Sequence, residues 1–195
     1  MSKIFLINTG KTQYIEGSLS SLTNGTYMFQ GCSNLTSFTS DLSSLTNGFY
    51  MFQGCSNLTS FTADLSSLTD GSSMFNNCPK LTTFSSDLSS LTNGQSMFYQ
   101  CKNLTSFNSD LSSLTNAGSG YSSMFGNSTY NCTKLNFASV QNIADTINDL
   151  ASKGTTGTLN IGIAKSLQSD DETAPINVAL AAIRAKGWTV TEMYA

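Results

Sequence analysis

A 23-residue segment repeats without a gap through the middle of the chain, and this phase constrains the fold more than any other feature. DLSSLTNGFYMFQGCSNLTSFTA at 41–63 returns as DLSSLTDGSSMFNNCPKLTTFSS at 64–86 and as DLSSLTNGQSMFYQCKNLTSFNS at 87–109. Leu19, Leu22, Met28, Phe29, Cys32, Leu35 and Phe38 carry the phase backward. Asp110, Leu111 and Leu114 carry it forward until an insertion, about 116–131, delays Met124 and Phe125 by four residues and Cys132 by four more. Five coils are readable over 17–138. Each full coil has seven apolar slots, for example Leu42, Leu45, Met51, Phe52, Cys55, Leu58 and Phe61. So few buried side chains do not offset the entropy of ordering a whole coil. Coils must therefore stack and share their apolar layers, which is the logic of a solenoid.

The same phase accounts for a composition that would otherwise suggest low complexity. Ser, Thr and Asn make up more than a third of the 195 residues, and only 11% of residues are charged, against about 25% in ordinary domains. Equivalent residues of stacked coils lie about 4.8 Å apart. A repeated charge would face its own copy there, whereas Ser, Thr or Asn can hydrogen-bond along the column. The chain has no histidine, which excludes imidazole-activated nucleophiles, imidazole metal sites and a pH switch near neutrality. Its net charge is -3, and its nine Lys and Arg are scattered, so no basic stripe awaits phosphate and no nucleic-acid partner is expected. No apolar run is long enough to enter a membrane, and 1–8 is too short for a signal-peptide core. The chain reads as soluble and without a visible export address.

The pattern C-x-x-L-x-x-F, then D-L-S-S-L-T-N-G and M-F-x-x-C, resembles the BspA-like branch of bacterial leucine-rich repeats. Cys32, Leu35, Phe38, Leu42, Leu45, Met51 and Phe52 carry the resemblance, repeated to about Phe137. It implies an α/β leucine-rich-repeat right-handed solenoid with one parallel sheet and a tight convex side. It also implies a protein-interaction or surface-recognition role at a bacterial cell surface or on a phage virion; a cytoplasmic setting stays open. The two-residue turn N-G replaces a longer connection common in the family.

A stack exposes its last apolar layer unless something covers it. Residues 139–195 suit a C-terminal αβαβ cap that continues the solenoid. Ser139 is placed to N-cap a helix with Val140, Ile143, Ala144, Ile147, Leu150 and Ala151 on one face, ending at Gly154. GTLNIGI at 157–163 alternates like a strand. A second helix starts near Thr173 to Pro175, buries Ile176, Ala179, Leu180 and Ile183, and stops at Gly187 before the strand WTVTEMY. The strand, helix, strand order predicts a right-handed crossover. At the other end, 1–16 reads as N-terminal cap strands, a hairpin or two edge strands.

Neither a cofactor nor a metal nor a catalytic residue is expected. Thr9-Gly10-Lys11-Thr12 contains GKT, but a phosphate-binding loop needs glycine where Phe5 stands. No Ser-x-x-Lys spacing occurs. Cys32, Cys55, Cys78 and Cys101 form one column whose ends lie about 14 Å apart, too far to meet at one zinc; buried reduced thiols are the expectation, with disulfides between adjacent coils the alternative. Asp41, Asp64, Asp87 and Asp110 share a slot with Ser18, so accepting a backbone N–H at the turn into Ser-Ser-Leu is the expected common task, with calcium bridging the alternative. The Asn-Gly and Asp-Gly pairs at 24, 47, 70 and 93 read as sources of left-handed turn residues.

Function is sought where the coils differ. Core slots and the strand positions Thr36, Thr59, Thr82 and Thr105, which present a polar Thr/Ser face, hardly change. Residues just before Met and between Phe and Cys change most. Tyr27, Phe49, Tyr50 and Tyr99 lie there, and the inserted loop adds Tyr121 and Tyr130. Aromatic rings on a polar solenoid serve as contact anchors, and loops inserted in arrays commonly bind; packing of the rings over the convex edge is the other use open to them. The expected function is a non-catalytic recognition module for a protein or glycan ligand, monomeric or weakly oligomeric. The alternative is a structural or assembly spacer whose partners bind at the solenoid ends.

Overall fold

The computed structural model describes residues 5–8, 13–16, 18–118, 123–126, 135–147, 158–163 and 165–194. At the N-terminus, β1 (Phe5–Asn8) and β2 (Gln13–Glu16) form an antiparallel pair, Phe5 opposite Glu16, which is the hairpin among the expected arrangements. The coils follow, contributing β3 (Ser37–Phe38), β4 (Ser60–Phe61), β5 (Thr83–Phe84) and β6 (Ser106–Phe107).

Backbone hydrogen bonds alternate between closing turns within a coil and joining it to the next. In the first coil the N–H groups of Met28, Gln30 and Cys32 donate to the carbonyls of Gly25, Tyr27 and Phe29 within the coil. Those of Gly25, Tyr27, Phe29 and Gly31 donate instead to Asn47, Phe49, Met51 and Gln53 of the second coil at 2.7–3.1 Å. Peptide groups are thus paired within and between coils without long strands. For this reason the strands are only two residues long, and the parallel pairs are β3–β4 and β5–β6 rather than one sheet. The unbroken parallel ladder runs elsewhere, through Asn24, Asn47, Asp70, Asn93 and Asn116.

Two columns of phenylalanine fill the interior. Phe29, Phe52, Phe75, Phe98 and Phe125 stack at 5.2–5.7 Å between ring centroids. Phe38, Phe61, Phe84 and Phe107 stack at 5.6–6.0 Å. The columns meet edge to face, as between Phe61 and Phe75 at 4.7 Å, the geometry ring quadrupoles favour. Leucine, methionine and cysteine slots complete a core that runs on without interruption to Val190.

The Asn-Gly glycines are not left-handed. The positive-φ residues of the coils are Tyr27, Tyr50, Ser73 and Ser96 in one slot and Gly31, Gly54, Asn77 and Gln100 in another. Gly25, Gly48, Gly71 and Gly94 answer a different demand, close approach. A Cβ on Gly48 would sit 2.8 Å from Met74 Sδ, and one on Gly25 would sit 2.5 Å from Met51 Sδ, so each glycine vacates the space that the next coil's methionine fills.

After the coils come α1 (Phe137–Thr146), β7 (Thr158–Ile163), α2 (Pro175–Ala185) and β8 (Thr189–Tyr194). The N-cap of α1 is Asn136, not Ser139: Asn136 Oδ1 accepts from the Ser139 N–H at 3.0 Å and hydroxyl at 2.8 Å. Ser139 is freed to accept the Phe107 N–H at 2.8 Å, tying the helix to β6. The helix ends at Thr146, short of Gly154, because Ile147 turns extended at ψ 131°. Val140, Ile143 and Ala144 are buried as expected; Leu150 and Ala151 lie outside the described residues. β7 and β8 are parallel neighbours with α2 between them in sequence. Leu135 bridges Ile163 of β7, and the Asn136 N–H reaches Thr105 O at 3.0 Å, so the C-terminal strands join the repeat stack edge to edge.

Candidate recognition surface

Repeated polar side chains are consumed in closing turns within a coil or in joining it to its neighbour. Asp41, Asp64, Asp87 and Asp110 each accept, through Oδ1, the N–H two residues on, at 2.7–2.8 Å, and Ser18 Oγ accepts from Ser20 N at 3.3 Å. The slot shared by Asp and Ser therefore closes a turn. The Ser43 N–H lowers the pKa of the exposed Asp41 carboxyl by favouring its charged form. An open cleft of about 520 Å³ lies beside Thr62, Asp64, Ser85 and Asp87, but each of these carboxylates holds its own turn. No cluster of three or more His, Cys, Asp or Glu side chains able to hold a metal occurs among the described residues.

The cysteines are buried and unpaired at Cys32, Cys55, Cys78 and Cys101. The thiols of Cys55, Cys78 and Cys101 donate to the carbonyls of Phe29, Phe52 and Phe75 at 3.1–3.2 Å. Burial disfavours the thiolate and pushes Cys101 up to about 12. These sulfurs fill space and satisfy carbonyls; they are unsuited to nucleophilic or metal chemistry.

Thr36, Thr59, Thr82 and Thr105 are exposed, as a polar face requires. Part of their hydrogen-bonding capacity is already used, since Thr59 Oγ1 donates to Thr36 O at 2.9 Å and Thr105 Oγ1 to Thr82 O at 3.3 Å. A second threonine column does the same: the hydroxyls of Thr46, Thr69, Thr92 and Thr115 donate to the carbonyls of Thr23, Thr46, Thr69 and Thr92 at 3.0–3.1 Å. That column escaped the sequence reading, although the invariant Thr of L-T-[ND] marks it in every coil.

Three of the six aromatic candidates come together. Tyr27 and Tyr50 stack at 5.4 Å and 14°. Phe49 meets Tyr27 edge-on at 5.6 Å and Tyr50 at 4.2 Å. Tyr27 is 49% exposed, and Phe49 and Tyr50 are half-buried. Tyr99 stands apart, two coils beyond Tyr50, in the slot of Gln30 and Gln53. Tyr121 and Tyr130 lie outside the described residues. Sequence reasoning missed the pair that shares its turns with the two tyrosines: Gln30 Nε2 donates to Gln53 Oε1 at 2.5 Å. Its signal was the recurrence of F-Q-G in the same two coils that carry the tyrosines.

A family model, the BspA type leucine rich repeat region, matches residues 22–152 in six copies. No curated protein matches this chain, and no solved structure does.

Proposed function

Because the chain belongs to the BspA-type leucine-rich repeat family, we propose that it is a non-catalytic recognition module whose stacked 23-residue coils display a binding surface for a protein or glycan. Repeats of this family are generally protein-interaction modules and typically non-catalytic. The observation that carries the proposal is the division of labour among side chains. The Asp, Cys and Thr columns are spent on turns and neighbouring carbonyls, while the Tyr27–Phe49–Tyr50 cluster holds no coil slot of the core and faces solvent in part. The C-terminal unit acts as the cap that shields the last coil, and the setting is a cell surface or virion.

The test is binding of the purified chain to panels of cell-surface proteins and of glycans. A ligand is expected whose affinity falls at least about tenfold when Tyr27, Phe49 and Tyr50 are replaced by Ala, as for central aromatic anchors. That affinity should change little between low and high salt, because few charges take part. No ligand in either panel, together with a defined partner-free oligomer in light scattering, would favour a structural spacer instead. Replacing Tyr121 and Tyr130 by Ala asks whether the inserted loop shares the site; full retention of binding removes it.

A further inference from the structure

We infer, building on the recognition reading above, that Tyr27, Phe49 and Tyr50 with Gln30 and Gln53 form a subsite for a neutral carbohydrate chain, the C–H face of a sugar ring lying against Tyr27 and its hydroxyls meeting the two amides.

The backbone supplies the first reason. The slot of Tyr27 and Tyr50 is left-handed in all of the first four coils, with φ of 59°, 56°, 55° and 54° at Tyr27, Tyr50, Ser73 and Ser96. The fold therefore imposes the conformation whatever side chain stands there. A bulky residue at positive φ is a costly choice, and in the two coils that carry the tyrosines the other left-handed slot holds the inexpensive one, Gly31 and Gly54, with Asn77 and Gln100 there in the next two coils. Serine suffices in coils three and four. The stack thus sets the backbone of this slot, and Ser73 and Ser96 show that it does not call for an aromatic ring, so the two successive tyrosines serve something other than the backbone.

Preorganisation is the second. Tyr50 and Phe49 pack against Tyr27 from two directions, at 14° and 72° to its plane. The cluster buttresses the exposed ring, so little side-chain freedom is left to lose when a ligand arrives. An aromatic face is electron-rich and attracts the weakly positive C–H groups on the apolar side of a pyranose.

The third is the surrounding chemistry. Gln30 and Gln53 each end the turn that a tyrosine begins, through Gln30 N–H to Tyr27 O at 3.1 Å and Gln53 N–H to Tyr50 O at 3.2 Å. Their mutual bond fixes both amides and leaves one carbonyl oxygen and one NH2 group of the pair for a ligand. Between residues 18 and 63 the only charged side chain is Asp41, whose carboxylate is engaged at Ser43. Protein-binding hot spots combine aromatic anchors with Arg, and these two coils contain no Arg or Lys. Rings flanked by neutral amides match a ligand that is rich in hydroxyls and carries no charge.

Saturation-transfer NMR with cellohexaose, xylohexaose, mannohexaose and polygalacturonate, on the whole chain and on the double variant Tyr27→Ser/Tyr50→Ser, tests this. The variant takes the residues found in the same slot at Ser73 and Ser96, so it keeps the backbone the slot requires, checked by an unchanged circular dichroism spectrum and melting temperature. The expected result is transfer to ring C–H protons of at least one neutral hexaose, with affinity falling at least about tenfold in the double variant. Replacing Gln53 by Ala should weaken the same binding. Absence of any neutral hexaose binding, binding of polygalacturonate alone, or binding untouched by the double variant overturns the inference. A protein ligand that still depends on Tyr27 and Tyr50 when no hexaose binds would overturn the carbohydrate subsite and leave the recognition reading standing; failure of both classes removes both.

Discussion

At the scale of single residues, the repeat is an interlock of unequal partners. Gly48 gives up its side chain so that Met74 of the next coil can pass within van der Waals contact of the backbone. A sequence shows the pair only as N-G and M-F, and the left-handed reading of N-G was natural because glycine is the usual left-handed residue. What decided the matter was space, which depends on how neighbouring coils approach and is invisible along one chain. Gly48→Ala should destabilise the protein by about 1–3 kcal/mol through overpacking, read as a lower urea midpoint; an unchanged midpoint would mean that Met74 moves aside freely. The thiols were legible as buried and reduced from their period alone. Burial raises their pKa, with Cys101 held at about 12 against an ordinary value of 9.0. The folded state therefore binds more protons than the unfolded one once pH exceeds 9. Stability should be indifferent to these groups below pH 8 and fall as pH rises from about 9 toward 12, and a disulfide-exchange reagent at pH 8 should label Cys55, Cys78 and Cys101 only on unfolding.

At the scale of elements, what could be read was the slot and what could not was its hydrogen-bond partner. The strand positions Ser37, Ser60, Thr83 and Ser106 fall where the phase puts them. Their length does not follow from the phase, because turns compete for the same N–H groups and leave only two residues extended per coil. The start of α1 shows the same limit. Ser139 is a good cap by type, yet Asn136 takes the role since Phe107 of the adjoining coil claims the serine oxygen. The turn that opens each coil was more transparent, because interchange of Asp and Ser across coils identifies the shared function of accepting an N–H. Asp41→Ser should accordingly be well tolerated, as Ser18 shows in the same slot. Asp41→Ala removes the acceptor from the Ser43 N–H and should lower thermal stability measurably more than Asp41→Ser does. Equal melting temperatures for the two variants would show that the turn holds without the side chain. Since the folded Asp41 pKa is lowered, its stabilising effect is present above the unfolded pKa and is lost as pH falls through the folded value.

At the scale of the whole molecule, a stack whose bonds run only between neighbours should tolerate loss of a layer if the register is kept. Removing residues 64–86 would bring the second and fourth coils together with every slot in phase. Met97 would enter the space beside Gly48 that Met74 now fills, and Phe98 would stack on Phe52 as Phe75 does. The threonine ladder would close between Thr46 O and the Thr92 hydroxyl, each already bonded in that sense to the coil removed. The shortened chain should therefore fold with native-like circular dichroism and a single urea transition. Its m-value should be roughly a tenth smaller, in proportion to the surface no longer buried, and its stability lower by one layer's interface. Removing 67–86 instead takes out three residues fewer and throws every later slot out of phase. Asp64 would then stand three residues before Asp87 in a chain that pairs equivalent slots, and Phe52 would face the polar Gln95. That chain should fail to show a cooperative transition. If both deletions fold equally well, coil-to-coil register does not govern the fold; if neither folds, the third coil supplies something that its copies do not.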